Sequence, residues 1–180
     1  AAEQQARRAA EQTATRIAQL QALTAALGAA LTPREIAAVT ISQEFATLGI
    51  RRGIIVQVTD DDDVLEVLAA VGCPEEWGEY GRRFPREVLA PLADVTRTGT
   101  PIFLESREAI AERYPACSTD PHCSDDAALA VMPLTVDGRV IGAMGLAFST
   151  PQDFDEEDRA FLLALARQSD HALDRARLYQ

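Results

Sequence analysis

The sequence contains no lysine and no asparagine, and all 17 of its basic residues are arginine. Set against 28 acidic residues, they leave a formal net charge of −11. That balance excludes the basic face that nucleic acid or an anionic membrane surface requires. The arginine bias, with abundant alanine, reads as the imprint of a GC-rich bacterial genome rather than of a binding site. No apolar run approaches membrane-spanning length, and no signal-peptide pattern opens the chain. Cysteine is scarce: Cys73, Cys117 and Cys123 cannot all pair, and their spacing fits no secreted disulfide framework. A reducing, cytoplasmic setting is therefore expected.

What is present suits one domain with an appendage, since 180 residues with 47% apolar content can bury a sizeable core. From Ala2 to about Leu27 the chain has neither Pro nor Gly and reads as one long helix. Ala6, Ala10, Thr13, Ile17, Leu20, Thr24, Leu27 and Leu31 step along it by alternating fours and threes, the spacing of a coiled-coil seam. Packing of the same stripe on the chain's own domain explains it equally well. A boundary is placed at residue 30, with a helix over 1–30 and a globular unit over 31–180.

In TPREIAAV, Thr32 is set to cap a second helix, with Pro33 in its first turn and Glu35 completing a capping box. This helix is expected to run to about Leu48, with Phe45 on its apolar face, and to stop at Gly49. GIIVQV and VLEVLAAVG read as a hairpin across the turn DDDD, residues 60–63. That acidic run lacks the alternating ligands, the Gly and the distant Glu of an EF-hand and reads as a solvated turn. A helix in PLADVTRTG, a strand in PIFLES and a helix ended by Pro115 follow. ALAVMPLTV and RVIGAMGLAF form a second hairpin over Asp137-Gly138, the clearest turn signal in the chain. A long helix capped by Asp155 closes the sequence. The order predicts an α+β fold with an antiparallel sheet. Ile54, Val131, Ile141 and Ala143 are expected under helix two and the closing helix.

Two segments carry candidate chemistry. YPACSTDPHCSDD holds Cys117, His122 and Cys123, but a zinc site wants four ligands at cleaner spacing. No metal ligand is assigned, and a Cys117–Cys123 disulfide is sterically open. The stretch from Cys73 to Pro91 carries Trp77, Tyr80 and Phe84 with Arg82 and Arg83. It suits either an aromatic ligand wall or a plug on the sheet's second face. Trp77, Tyr80, Phe84, Tyr114, Cys117, His122, Cys123 and Met132 are the expected pocket residues. No catalytic residue is assigned.

MPLTVDGRVIGAMGLAF followed by FDEEDRAFLLALARQSDHALDRARLY, with PLADVTRTGTPIFLES before them, resembles the pattern of GAF sensor domains. The likeness covers residues 20 to 180. It implies a PAS-like antiparallel sheet of about five to six strands, terminal helices on one face and short helices and loops on the other. It further implies a non-catalytic sensory module of a bacterial signalling protein, binding a small molecule or sensing redox state, with no required cofactor. A homodimer would pair through Ile17, Leu20, Leu27, Leu165, Ala172 and Tyr179 and pass the signal to a covalently linked kinase or phosphatase. Cyclic-nucleotide binders of this family use Asn and Lys, which the chain lacks, and bilin binders use Cys-His, here reversed as His122-Cys123. Free-methionine sulfoxide reductases place cysteines in the same insert. Their Ser-x-Ser-Glu is replaced here by SDDAALAV, and their Gly-Val-Cys-Gly is missing. A thiol enzyme of that kind and a pure dimerisation scaffold are the alternatives.

Overall fold

Asp137 and Gly138 both have positive φ, 48° and 75°. This left-handed pair matches the right-handed twist of two antiparallel strands. It joins β5 (Ala128–Val136) to β6 (Arg139–Phe148). In the computed structural model, which describes residues 1–42, 48–61 and 63–178, the other hairpin joins β1 (Ile50–Val58) to β2 (Val64–Val71). With β3 (Arg83–Pro85) and β4 (Ile102–Leu104) at the edges, they form a six-stranded antiparallel sheet in the order β3-β2-β1-β6-β5-β4. The α+β expectation holds. The edge strand β3 was not anticipated: it is three residues long and ends on a proline, which an edge position tolerates.

One face of the sheet carries α1 (Ala2–Ala29), α2 (Pro33–Thr40) and α7 (Glu156–Leu178). The Thr32 cap is present: Glu35 N–H donates to Thr32 Oγ1 at 3.2 Å, and the Glu35 carboxylate accepts from Thr32 N–H at 3.1 Å. The Leu31 N–H, donating to the same carboxylate at 2.8 Å, and then the Thr32 N–H hold the Glu35 carboxyl below its usual pKa. Asp155 caps α7 by accepting from Asp158 N–H at 2.8 Å. Helix α2 ends at Thr40, well before Leu48, where the β-branched run Val39-Thr40-Ile41 weakens helical preference. Phe45 lies outside the described residues. Phe154 keeps an unusual φ of 44° because its buried ring is wedged between Phe148 and Phe103, with centroids 5.5 and 5.4 Å away.

The second face carries α3 (Glu75–Gly78), α4 (Ala90–Thr98), α5 (Arg107–Arg113) and α6 (Pro115–Thr119). Pro115 therefore opens a further turn of helix as well as closing α5. Both faces are covered, so strand residues of both parities are buried. Met132, Met144, Ile55 and Leu146 face the terminal helices, whereas Val131, Ala143 and Ile54 face α4 and its neighbours. Of the four residues expected under the terminal helices, only Ile141 lies there; the other three occupy the opposite parity.

The seam residues divide in the same way. Leu27, Leu165 and Ala172 are buried inside the subunit, and Leu20 packs half-buried on the same core. Leu27, Leu165 and Ala172 fasten α1 and α7 to the domain and are not free to meet a partner. Ile17 is 51% exposed, and Tyr179 lies outside the described residues.

Asp170 on α7 is 7% exposed. Its carboxylate accepts a hydrogen bond from the backbone N–H of Thr135, at the register shift in β5. Its Oδ1 has no hydrogen-bond partner among the described residues. Burial lifts this carboxyl to about 7, against the opposing pull of Thr135 and Arg167. A carboxyl raised on folding keeps its proton better in the native than in the unfolded chain, so ionisation destabilises the fold as pH rises from about 4 to about 7. Asp170→Asn should raise stability at pH 8 by about 1–3 kcal/mol, with the gain vanishing toward pH 4. Denaturant melts of both proteins across pH check this; equal stabilities at pH 8 would show that the carboxylate carries no penalty.

Candidate functional site

Strand β1 begins three residues before the expected GIIVQV, and this extension places Arg52 in the sheet. Alternation then puts Arg52, Ile54 and Val56 on the second face. Beside them Leu129 and Val131 of β5 and Gly145 and Ala147 of β6 complete a floor. Gly145 has a packing reason: a Cβ there would meet Leu92 at 3.2 Å and Ile54 at 3.4 Å, so its absence lets α4 close over the sheet. The roof is formed by Ala90, Pro91 and Leu92 of α4, Ile110 and Arg113 of α5, and the segment from Tyr114 to Asp126. Tyr114 O–H donates to Asp94 at 2.6 Å, tying that segment to α4. Burial first, and then this bond, raises the phenol's pKa. Between floor and roof lies a cavity of about 330 Å³.

Its wall is largely apolar, though Glu87, Arg113 and Asp120 also line it, and a charged cluster stands at one end. There Arg52 is bonded to Asp126, with side-chain exposures of 13% and 4%. Arg51 adds a second contact to Asp126 at 3.5 Å. Burial works against the Arg52 charge, but Asp126 and Cys123 more than offset it, and the group stays a firm cation. Burial raises the Asp126 carboxyl despite both arginines. Cys73, Cys117 and Cys123 all line this end, and all three are half-buried and unbridged. Hydrogen bonding from the Cys117 thiol, and then Arg52, lower Cys123 to about 6 against the effect of burial. Cys117 moves the opposite way, as donor to Cys123 and through burial. Burial also raises Cys73, whose thiol donates to the Gly53 carbonyl at 3.7 Å. Cys117 and Cys123 thus titrate as a hydrogen-bonded pair, in which Cys123 is the thiol that ionises first.

Of the expected pocket residues, Trp77, Tyr114, Cys117 and Cys123 line the cavity. Phe84 stands behind Trp77, with ring centroids 6.0 Å apart, and plugs the sheet. His122 does not line the wall; its ring meets Trp77 at 5.7 Å. Tyr80 and Met132 are corrections. Tyr80 is 46% exposed under Arg34, while Met132 points into the core on the opposite face because its strand position has the wrong parity. Among the described residues, no group of three or more His, Cys, Asp and Glu is arranged to hold a metal ion. Cys73, weighed from the sequence as a distant fourth member of the Cys117–Cys123 cluster, does approach it, whereas Arg52 and Asp126 were missed. Extending the β1 alternation back by one step would have found Arg52; the convergence of Asp126 on it is a tertiary fact.

A family model described as GAF domain matches residues 30–174. Solved structures that resemble the chain include the following three. The GAF domain of a phosphoenolpyruvate-protein phosphotransferase from Coxiella burnetii superposes with a TM-score of 0.74 at 18% identity, covering 91% of this chain and 95% of that one. A free methionine-R-sulfoxide reductase from Neisseria meningitidis, in complex with its substrate, gives 0.72 at 19% identity, covering 94% of each chain. A methyl-accepting chemotaxis protein, residues 122 to 287, gives 0.71 at 15% identity, covering 88% of this chain and 98% of that one. At these identities the likeness is one of fold. No curated protein sequence matches.

Arg52→Gln should raise the pH at which Cys123 becomes alkylated by about 1–2 units from its value near 6, because the thiolate loses its cation. It should also cost about 2–4 kcal/mol by leaving Asp126 buried without its main partner. Iodoacetamide labelling against pH and a denaturant melt read the two effects; an unshifted labelling profile would disconnect Arg52 from the thiol.

Proposed function

This chain belongs to the GAF domain family, and on that footing we propose that it is the sensory module of a larger bacterial signalling protein. Its signal is a small organic molecule held between the sheet's second face and the roof from Ala90 to Asp126. The cavity carries this reading. A volume of about 330 Å³ suits a compact ligand, apolar walls suit its body, and Arg52 suits one anionic or hydrogen-bond-accepting group. The module works by binding this molecule rather than by turning it over. Ligand contact with the Tyr114–Asp126 segment would bias that roof, and the roof leads directly into β5, against which α7 packs. A ligand that binds two arrangements of α7 with different affinity shifts their populations.

The output lies in a kinase or phosphatase domain joined to a terminal helix, and the module acts in the cytoplasm as a homodimer. What supports a helical dimer is the exposed N-terminal part of α1, where Ala6, Ala10, Thr13 and Ile17 form a stripe that the domain does not cover. No helix among the described residues is long and apolar enough to cross a membrane.

Native mass spectrometry of the protein from its own host should show a species heavier than the polypeptide. Leu129→Trp, which fills the cavity floor, should remove the added mass while leaving the circular dichroism unchanged. A parent protein of bare polypeptide mass that also binds no member of a metabolite library would sink the ligand reading. Separately, light scattering should find a concentration-dependent dimer that Ile17→Glu dissociates without lowering Tm, since Ile17 is 51% exposed. A monomer at every concentration would refute the helical pairing.

A further inference from the structure

Ligand binding and domain packing leave the thiols of the cavity without a use, yet their placement is controlled. Cys117 sits on α6, its amide donating to the Tyr114 carbonyl at 3.0 Å. Cys123 closes the next turn, its amide donating to the Asp120 carbonyl at 3.0 Å. The turn is held from both sides, by His122 against Trp77 and by Asp126 on Arg52. We propose that Cys123 and Cys117 are a redox pair that an organic hydroperoxide entering this cavity oxidises to a disulfide. This deepens the sensory reading and rests on the cavity being a small-molecule site.

The steps balance. The Cys123 thiolate attacks the terminal peroxide oxygen; an S–O bond forms, the O–O bond breaks, and the departing alkoxide takes a proton to become the alcohol. Cys123 is then a sulfenic acid. The Cys117 sulfur attacks it, an S–S bond forms, and the hydroxide that leaves combines with the Cys117 proton as water. One hydroperoxide is reduced by two electrons and two thiols are oxidised. Arg52 serves both stages of the first step, because its fixed guanidinium steadies the thiolate and then the developing alkoxide. The low Cys123 pKa supplies the attacking anion at neutral pH, and the raised pKa of Cys117 keeps its proton available for the leaving hydroxide. Cys73 is not the resolving thiol, since it donates to a backbone carbonyl.

The apolar wall of Ile54, Leu92, Ile110 and Val131 selects the class of peroxide. Hydrogen peroxide gains nothing from such a surface, whereas an alkyl or aryl hydroperoxide buries its body there. The product disulfide staples α6 to the turn that leads into β5, so oxidation and ligand binding act on the same roof.

The reduced protein, treated with one equivalent of cumene hydroperoxide, should lose the free thiols of Cys117 and Cys123, lose two hydrogens in mass and yield a cross-linked peptide. Cys117→Ser should stop with one added oxygen on Cys123, trapped by dimedone, and Cys123→Ser should not react. Cumene hydroperoxide should react at least about tenfold faster than hydrogen peroxide, given that rates at a thiolate follow access as well as nucleophilicity. An unchanged thiol content, oxidation centred on Cys73, or a Cys123→Ser variant as reactive as the parent would overturn the proposal. Cumyl alcohol separates the two readings, since it fits the same wall and cannot oxidise. If it slows alkylation of Cys123 while the hydroperoxide leaves the thiols reduced, the redox pair fails and the cavity stands as a ligand site. If neither compound affects the thiols, both fail for this ligand class.

Discussion

Arg52 is the residue on which the second half of the structure turns. It is a cation drawn into a low-dielectric site, and such a charge is tolerable only with a buried counter-ion in good geometry. Asp126 provides it from the end of the insert, immediately before β5. The pair therefore joins the sheet to the segment that roofs the cavity. Removing either partner would strand a charge and loosen that segment. Because the same guanidinium faces Cys123, the residue that positions the roof also helps the Cys117 hydrogen bond to lower that thiol's pKa.

The two faces of the sheet have different tasks. The face under α1, α2 and α7 is filled by large side chains, among them Met132, Met144, Leu146 and Leu165. Its buried polar groups are few: Thr40 and Ser169 share a hydrogen bond of 3.0 Å between α2 and α7, and Asp170 holds the strand end. The other face is built from smaller floor residues such as Gly145 and Ala147, and the roof above it is short helices tied at a few points. The cavity lies on the less filled face, and the terminal helices pack on the filled one.

The sequence by itself determined what depends on neighbours along the chain. Thr32 with Glu35, Asp155 and the Asp137-Gly138 turn were legible because caps and tight turns are settled within a few residues. The order of the terminal helices and the two hairpins, and the GAF resemblance resting on it, were legible for the same reason, although β3 and α6 were not. Tertiary structure alone decided parity and proximity. A sheet covered on both faces buries strand residues of either parity, so apolar character could not say that Met132 faces the helices and Val131 the cavity. Nor could the stripe of α1 reveal that Leu27 is spent inside the subunit while Ile17 is left outside. Arg52, Cys73 and Asp126 meet only because β1, the chain following β2 and the end of the insert converge at one corner. Charges and thiols that far apart in sequence carry no local signal of one another, and only the closed fold brings them within reach.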